Sequence, residues 1–206
     1  MAILALEAFA ATPLSIDPFD HVVVRDFIRE GSLPRLLADF PRIDQPGSFP
    51  ASVLNFGPAF AALLDELRSE ATSRAFGCKF GIDLNGRPTI ISVRGRSRAT
   101  DGGIHTDSAT KVVTALIYFN AGWEAETGRL RLLRSGDDIG DHAIEIAPEA
   151  GTLVAFRRSE RSFHGHLPYA GERRSVQLNW VTTAGVARRE MVRHRIAARL
   201  KSLLAT

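Results

Sequence analysis

From Pro88 onward the chain reads as a series of short β-forming segments set close together. PTIISVRG (88–95), KVVTALIYFN (111–120), GRLRLL (128–133), HAIEIAP (142–148), GTLVAF (151–156) and RSVQLNWVTT (174–183) follow in order. Gly, Asp, Asn and Pro separate them, and all but GRLRLL carry β-branched or aromatic residues. Spacing of this kind favours an antiparallel sandwich or jelly roll over βαβ units.

Helical periodicity is confined to the two ends. FGPAFAALLDELRSEATSRAF (56–76) carries Phe60, Leu63, Leu64, Leu67 and Ala71 at helical spacing, with Pro58 near the start where proline is tolerated. HVVVRDFI (21–28) reads as a strand leading into a helical patch near LPRLLADF. In the tail, Val192, Ile196, Leu200 and Leu203 share one face, which is expected to pack on the sheet or against a second copy of the chain. At 206 residues without repeats or linkers, the expectation is a single domain. It comprises N-terminal strand and helices (about 1–85), a mainly β core (about 86–184) and a C-terminal helix (about 185–206).

Composition excludes several classes. Hydrophobic residues at 45% and charged residues at 24% are those of a soluble globular protein. No apolar run reaches the roughly 18 residues of a membrane span, and the apolar N-terminus lacks the basic region of a secretion signal. Cys78 is the only cysteine, which rules out an internal disulfide or a cysteine-based zinc site. A cytoplasmic protein without a membrane partner is the expectation. A net charge of +3 is too weak for a nucleic-acid footprint unless the basic residues form a stripe.

The chemistry is carried by two separated stretches. GGIHTDSATKVVTALIYFN (102–120) holds His105 and Asp107 one residue apart, which on a strand point to the same side. RSFHGHLPYAGERRSVQLNW (161–180) holds His164 and His166, then Arg173 and Arg174. Two imidazoles and one carboxylate on one face of Fe(II) leave three adjacent positions open, the ligand set of non-haem iron oxygenases. A guanidinium nearby can take a carboxylate through two charge-assisted hydrogen bonds. On spacing alone His166 competes with His164. His21, His142 and His194 lack a partner at ligand spacing and read as surface or loop residues, and Trp123 reads as packing under the barrel.

HTD, VVTALIYFN, GWEAETGRLRLL, APEAGTLVAF and FHGHLPY, in this order, resemble the Fe(II)/2-oxoglutarate-dependent oxygenase superfamily, in its prolyl-4-hydroxylase-like branch. The resemblance covers Ile91 to Thr183 and reaches the N-terminal part only loosely. It implies a double-stranded β-helix, a cupin-like jelly roll, with His105, Asp107 and His164 holding Fe(II). It further implies Arg174 and Tyr118 binding the distal carboxylate of 2-oxoglutarate. Arg174 is preferred to Arg173 because Trp180, six residues on, matches the family's strand tryptophan, and because a strand cannot point both arginines inward. Arg173 is then expected outward or at the substrate entrance, with Arg94, His166 and Arg129 as further entrance candidates. Arg129 stands where the family often has a second glycine after Gly128.

The implied activity consumes O2 and 2-oxoglutarate, releases succinate and CO2, and hydroxylates an unactivated C–H. The substrate would be an amino acid, a peptide or protein side chain, or a small metabolite. The alternative is a jelly-roll protein that binds a metal or small acid without turnover. Arginines at Arg129 and around RRSER (157–161) suggest an anionic substrate.

Overall fold

The computed structural model describes residues 2–203, with side chains described as far as Arg193. Nine strands form two antiparallel sheets among the described residues. The larger sheet contains β1 (His21–Val24), β2 (Ser48–Pro50), β3 (Thr89–Ser97), β4 (Lys111–Tyr118), β7 (Leu153–Arg157) and β9 (Gly171–Val181), in the order β1-β7-β4-β9-β3-β2. The smaller contains β5 (Leu130–Leu133), β6 (His142–Ile146) and β8 (His164–Gly165), in the order β6-β5-β8. The sequence expectation of a mainly β jelly roll with flanking helices describes this arrangement.

The two faces of the large sheet have different jobs. Val113, Ala115 and Ile117 of β4, and Val176, Leu178 and Trp180 of β9, join a core with Phe60, Leu63, Leu64, Leu67, Phe76 and Phe80. Those last six come from α3 (Pro58–Arg68) and α4 (Glu70–Phe80). The opposite face looks toward the small sheet. There Tyr118, Val154 and Phe156 pack with Leu130, Leu132, Ile146 and Phe19. Side chains alternate between the faces with a period of two, so the inward residues of β9 are Arg173, Ser175, Gln177 and Asn179.

The helical pattern at 56–76 is two helices rather than one. Ser69 leaves the helix (φ −65°, ψ 155°) and its Oγ accepts from the Thr72 backbone N–H at 3.2 Å, capping α4. Ala71, on the buried face if the period ran on unbroken, is exposed, and α4 instead buries Thr72, Ser73, Phe76 and Phe80. Phe76 then sits among Phe9 (4.3 Å between centroids), Trp180 (4.9 Å) and Phe27 (6.2 Å). Phe76→Ala is expected to cost about 3–5 kcal/mol, read as a lower urea midpoint. A loss below about 1 kcal/mol would show that this cluster does not hold the helices on the sheet.

At the ends, α1 (Leu6–Ala11) and α2 (Leu33–Asp39) complete the N-terminal helices. The last helix, α5 (Ala184–Leu203), runs beside β2, β3 and β9. Val192 is 50% exposed, while the side chains of Ile196, Leu200, Leu203 and His194 lie outside the described residues. His21 is no surface residue: it opens β1, is 4% exposed, and its Nδ1 contacts Phe19 O at 2.8 Å. No described helix is long and apolar enough to cross a membrane.

Candidate metal and cosubstrate site

Between the sheets lies a cavity of about 190 Å³ whose wall includes His105, Asp107 and His164. The segment before β4 pairs with β8: His105 N–H donates to His164 O (3.1 Å), and His164 N–H donates to His105 O (3.0 Å). This antiparallel exchange sets the two imidazoles side by side, with ring centroids 4.3 Å apart. The ligand atoms of His105, Asp107 and His164 all lie within 4.8 Å of one another. Small side-chain shifts from there would set the three donors on one face of a single divalent ion.

Each imidazole is oriented by the backbone. His105 Nδ1 is 2.8 Å from Gly103 O, and His164 Nδ1 is 2.9 Å from Ser162 O. A carbonyl only accepts, so each Nδ1 carries a proton and Nε2 is the ring atom left to bind a metal. Burial first, and then His105, push the His164 pKa down to about 4, which keeps that ring neutral near pH 7.

Asp107 is buried and held at both oxygens. Lys111 Nζ donates to Oδ1 at 2.7 Å and Thr114 Oγ1 donates to Oδ2. Thr114 in turn lies 3.0 Å from Asn179 Oδ1, which accepts from Gln177 Nε2 at 3.2 Å. Burial opposes ionisation of Asp107, but the Lys111 charge, His164 and the hydrogen bonds outweigh it and hold its pKa below the ordinary carboxylate value. Lys111, Thr114, Gln177 and Asn179 were missed by the sequence reading. For three of them a signal was there: Thr114 interrupts the apolar run of β4, and Gln177 and Asn179 are polar at alternate, inward positions of β9, whereas Lys111, three residues from Thr114 across a bulge, gave none.

The two arginines exchange their expected places. Arg173 faces the cavity, is 6% exposed, and its Nε donates to Gly128 O at 2.8 Å. Arg174 faces the other way, pairs with Glu172 (3.0 Å) and lies over the Phe40 ring. The reason is the alternation along β9: Arg174 shares a face with Val176, Leu178 and Trp180, and that face packs on the helices. Trp180, taken as the landmark for Arg174, marks the side away from the cavity.

Tyr118 lies where β4 continues inward past Thr114 and Leu116. It is fully buried, and among the described residues its O–H finds no acceptor, the neighbouring Arg173 guanidinium being a donor only. The Arg173 guanidinium carbon stands 5.4 Å from its ring centroid. Burial raises the Tyr118 pKa, the Arg173 charge and the approach of its guanidinium to the phenol oxygen oppose it, and the hydroxyl stays protonated. A buried donor left unpaired costs about 1–3 kcal/mol, and a carboxylate bound beside Arg173 would satisfy it.

Of the remaining entrance candidates, Arg94 and His166 line the cavity, whereas Arg129 does not. Arg129 precedes the inward Leu130, so it points out of the barrel, where Nε donates to Ala125 O (3.0 Å) and Nη1 lies 3.7 Å from Glu145. Trp123 packs on Tyr169 (4.7 Å), with Nε1 donating to Thr127 O, among the connecting segments. His166 lies outside the three-residue ligand group, and its Nδ1 is 2.8 Å from Leu167 O.

The His166 ring rests on Gly102, where a Cβ would come within 2.3 Å of the ring and where φ is +91°. Gly102→Ala is therefore expected to displace the segment before β4 that carries His105. Metal affinity should fall by about tenfold or more, as for other losses of support around ligands, measured by calorimetric titration with Ni(II). Wild-type affinity would show that the close approach is not needed.

Residues 96–182 match the family model described as the 2OG-Fe(II) oxygenase superfamily. No curated protein matches the sequence. Among solved structures, a Pseudomonas putida prolyl-4-hydroxylase is 20% identical with a TM-score of 0.53, covering 86% of this chain and 97% of that one. The 2OG complex of a viral collagen prolyl hydroxylase from Paramecium Bursaria Chlorella virus-1 is 14% identical with a TM-score of 0.54, covering 79% and 96%. HygX from Streptomyces hygroscopicus, with nickel and 2-oxoglutarate bound, is 13% identical with a TM-score of 0.55, covering 87% and 86%. At these identities the likeness is one of fold: the double-stranded β-helix.

Proposed function

We propose that this chain, matched to the 2OG-Fe(II) oxygenase superfamily across residues 96–182, is an Fe(II)- and 2-oxoglutarate-dependent hydroxylase. One observation carries the reading. Three ligand atoms converge in a cavity that also presents Arg173, whose guanidinium stands over the buried Tyr118 ring behind the wall. The donor set, two neutral imidazoles and a carboxylate, suits Fe(II), and the Arg173–Tyr118 pair suits the far carboxylate of 2-oxoglutarate.

When bound, iron and 2-oxoglutarate supply the oxidation: O2 is consumed, 2-oxoglutarate leaves as succinate and CO2, and one oxygen enters a C–H bond. The protein's own part is orientation and exclusion of water. Gly103 and Ser162 carbonyls fix the imidazole tautomers, and Thr114 and Lys111 fix the carboxylate plane of Asp107. Arg173 is itself fixed by Gly128 O, so it meets an incoming carboxylate already ordered. Leu116 and Leu130 give the cavity apolar wall.

Anaerobic addition of Fe(II) and 2-oxoglutarate should produce a metal-to-ligand charge-transfer band, and admission of air with a substrate panel should release succinate. Tight metal binding with neither the band nor succinate would favour a jelly-roll protein that binds a metal without turnover. The substrate remains an amino acid, a peptide or protein side chain, or a small metabolite on the observations above.

A further inference from the structure

One cationic residue of the cavity has no part in that scheme. Among the described residues, the wall carries Arg94, Lys111 and Arg173 against a single carboxylate, Asp107. Lys111 is paired with Asp107, and Arg173 is assigned to 2-oxoglutarate. Fe(II) and 2-oxoglutarate bring equal and opposite charge, so loading the site leaves this cationic excess in place.

Arg94 is only partly compensated. Its Nη1 donates to Asp101 at 2.8 Å, but Asp101 also takes the Arg98 guanidinium (3.4 Å) and the Arg98 backbone N–H (3.1 Å). One carboxylate thus serves two guanidiniums. The other Arg94 amino group reaches only Ser48 Oγ, at 3.4 Å. Burial, opposed by Asp101 and reinforced by the Arg173 charge, holds the Arg94 pKa below the usual arginine value, although arginine stays protonated. Two like charges facing one cavity repel each other until an anion enters.

The position of Arg94 separates it from the cosubstrate. Strand order places β9 between β4 and β3, and the register sets Tyr118, Ser175 and Arg94 in one row across the sheet. With strands about 4.8 Å apart, Arg94 stands two strands from Tyr118. Exposure rises along the row, from 0% at Tyr118 to 25% for the Arg94 side chain, with Ser48 beside it on β2. Both ends of 2-oxoglutarate are already provided for, one at the metal ligands and the other at the buried Tyr118–Arg173 end. Arg94 belongs to the open side, amid the Ser48, Ser92 and Ser175 hydroxyls and the Gln177 amide.

We infer that the substrate carries an acidic group, a carboxylate or a phosphate, which Arg94 binds on the open side of the cavity. This rests on the hydroxylase reading. It moves the anion-recognising role from Arg129, which faces out of the barrel, to a residue inside the cavity.

The test uses protein loaded with Fe(II) and saturating 2-oxoglutarate under argon. The probes are matched pairs: free L-amino acids with their carboxamides, and sugar phosphates with the parent sugars. Binding is read by calorimetry and by perturbation of the charge-transfer band. At least one acid is expected to bind about tenfold to a hundredfold tighter than its neutral partner, the range for hydrogen bonds to a charged group. Arg94→Gln should erase that preference and Arg94→Lys should retain part of it. In both variants 2-oxoglutarate affinity should stay within about twofold of wild type, which also shows that they fold.

A preference that survives Arg94→Gln overturns the assignment, as does a panel in which acids never outbind their partners. Loss of 2-oxoglutarate binding in Arg94→Gln, to the extent expected for Arg173→Ala, also overturns it and gives Arg94 to the cosubstrate. If wild-type protein forms no charge-transfer band, the hydroxylase reading fails and the inference falls with it. A normal band without acid preference sinks the substrate assignment alone.

Discussion

Asp107→Ala is expected to abolish metal binding, with affinity for Fe(II) or Ni(II) falling by more than about a hundredfold. Losing a hydrogen bond that merely supports a ligand costs about 10–100-fold, and here the ligand itself is removed. The same substitution should lower stability. Lys111, whose side chain is only 15% exposed, would lose its partner, and Thr114 would lose an acceptor. Breaking a buried pair from one side costs about 3–5 kcal/mol; the partial exposure of Lys111 puts the expected loss below that, at about 1–3 kcal/mol. The double variant Asp107→Ala, Lys111→Met should recover much of the stability and none of the metal affinity. Thermal unfolding without metal, combined with metal analysis after dialysis, separates the two effects. Wild-type metal content in Asp107→Ala would remove this residue from the ligand set.

Arg173→Ala should weaken 2-oxoglutarate by about a hundredfold while metal affinity changes little. The guanidinium is buried, held by Gly128 O, and placed over Tyr118, whose O–H finds no acceptor among the described residues. Two charge-assisted hydrogen bonds at about 1.5–3 kcal/mol each would support a larger loss, but Tyr118 would still hold the carboxylate. Arg173→Lys should recover the charge but not the two-pronged geometry, leaving an intermediate affinity. Arg174→Ala should change 2-oxoglutarate affinity by no more than about twofold, since its partners Glu172 and Phe40 lie on the other face of β9. Titration of the charge-transfer band with 2-oxoglutarate reads all three variants. A strong effect at Arg174 with a weak one at Arg173 would mean that β9 presents its opposite face to the cavity.

This pair of arginines marks how far the sequence could be read. Alternation along RRSVQLNW says that the two neighbours face opposite ways, and it says so locally. Which of them faces inward depends on which side of β9 the α3–α4 layer covers. Trp180 belongs to the covered side, packed on Phe76 with its Nε1 donating to Ser73 Oγ at 3.2 Å. Its six-residue spacing from Arg174 therefore identified residues of the helix side. Arg129 was misplaced for a related reason: the motif located the turn before β5, but the side taken by each residue followed from Leu130 and Leu132 entering the inter-sheet core.

Other features were hidden for different reasons. Ser69 breaks 56–76 into two helices through a local cap, and the small Ala71 fitted a single apolar stripe by residue type although α4 turns it to solvent. His21 looked like a surface residue because its sequence neighbours include no ligand-type partner. Its burial comes from β1 pairing with β7, more than a hundred residues away. Lys111 follows Asp107 by four residues, a spacing with no special meaning outside a helix. The turn between them folds back, with Lys111 N–H donating to Ser108 O at 2.9 Å, and brings the ammonium onto the carboxylate.

By itself the sequence located most of the strand segments, their antiparallel character, the helical ends and, through the order of its family-like motifs, the candidate set His105, Asp107 and His164. Those rest on residue type, period and order, which are properties of short stretches of chain. Only the tertiary structure decided that Arg173 and Arg94, rather than Arg174 and Arg129, share the cavity with those three residues. A side chain's face is set by what packs on the strand's two sides, and here the packing partners are distant in the chain: two helices on one side and a second sheet on the other.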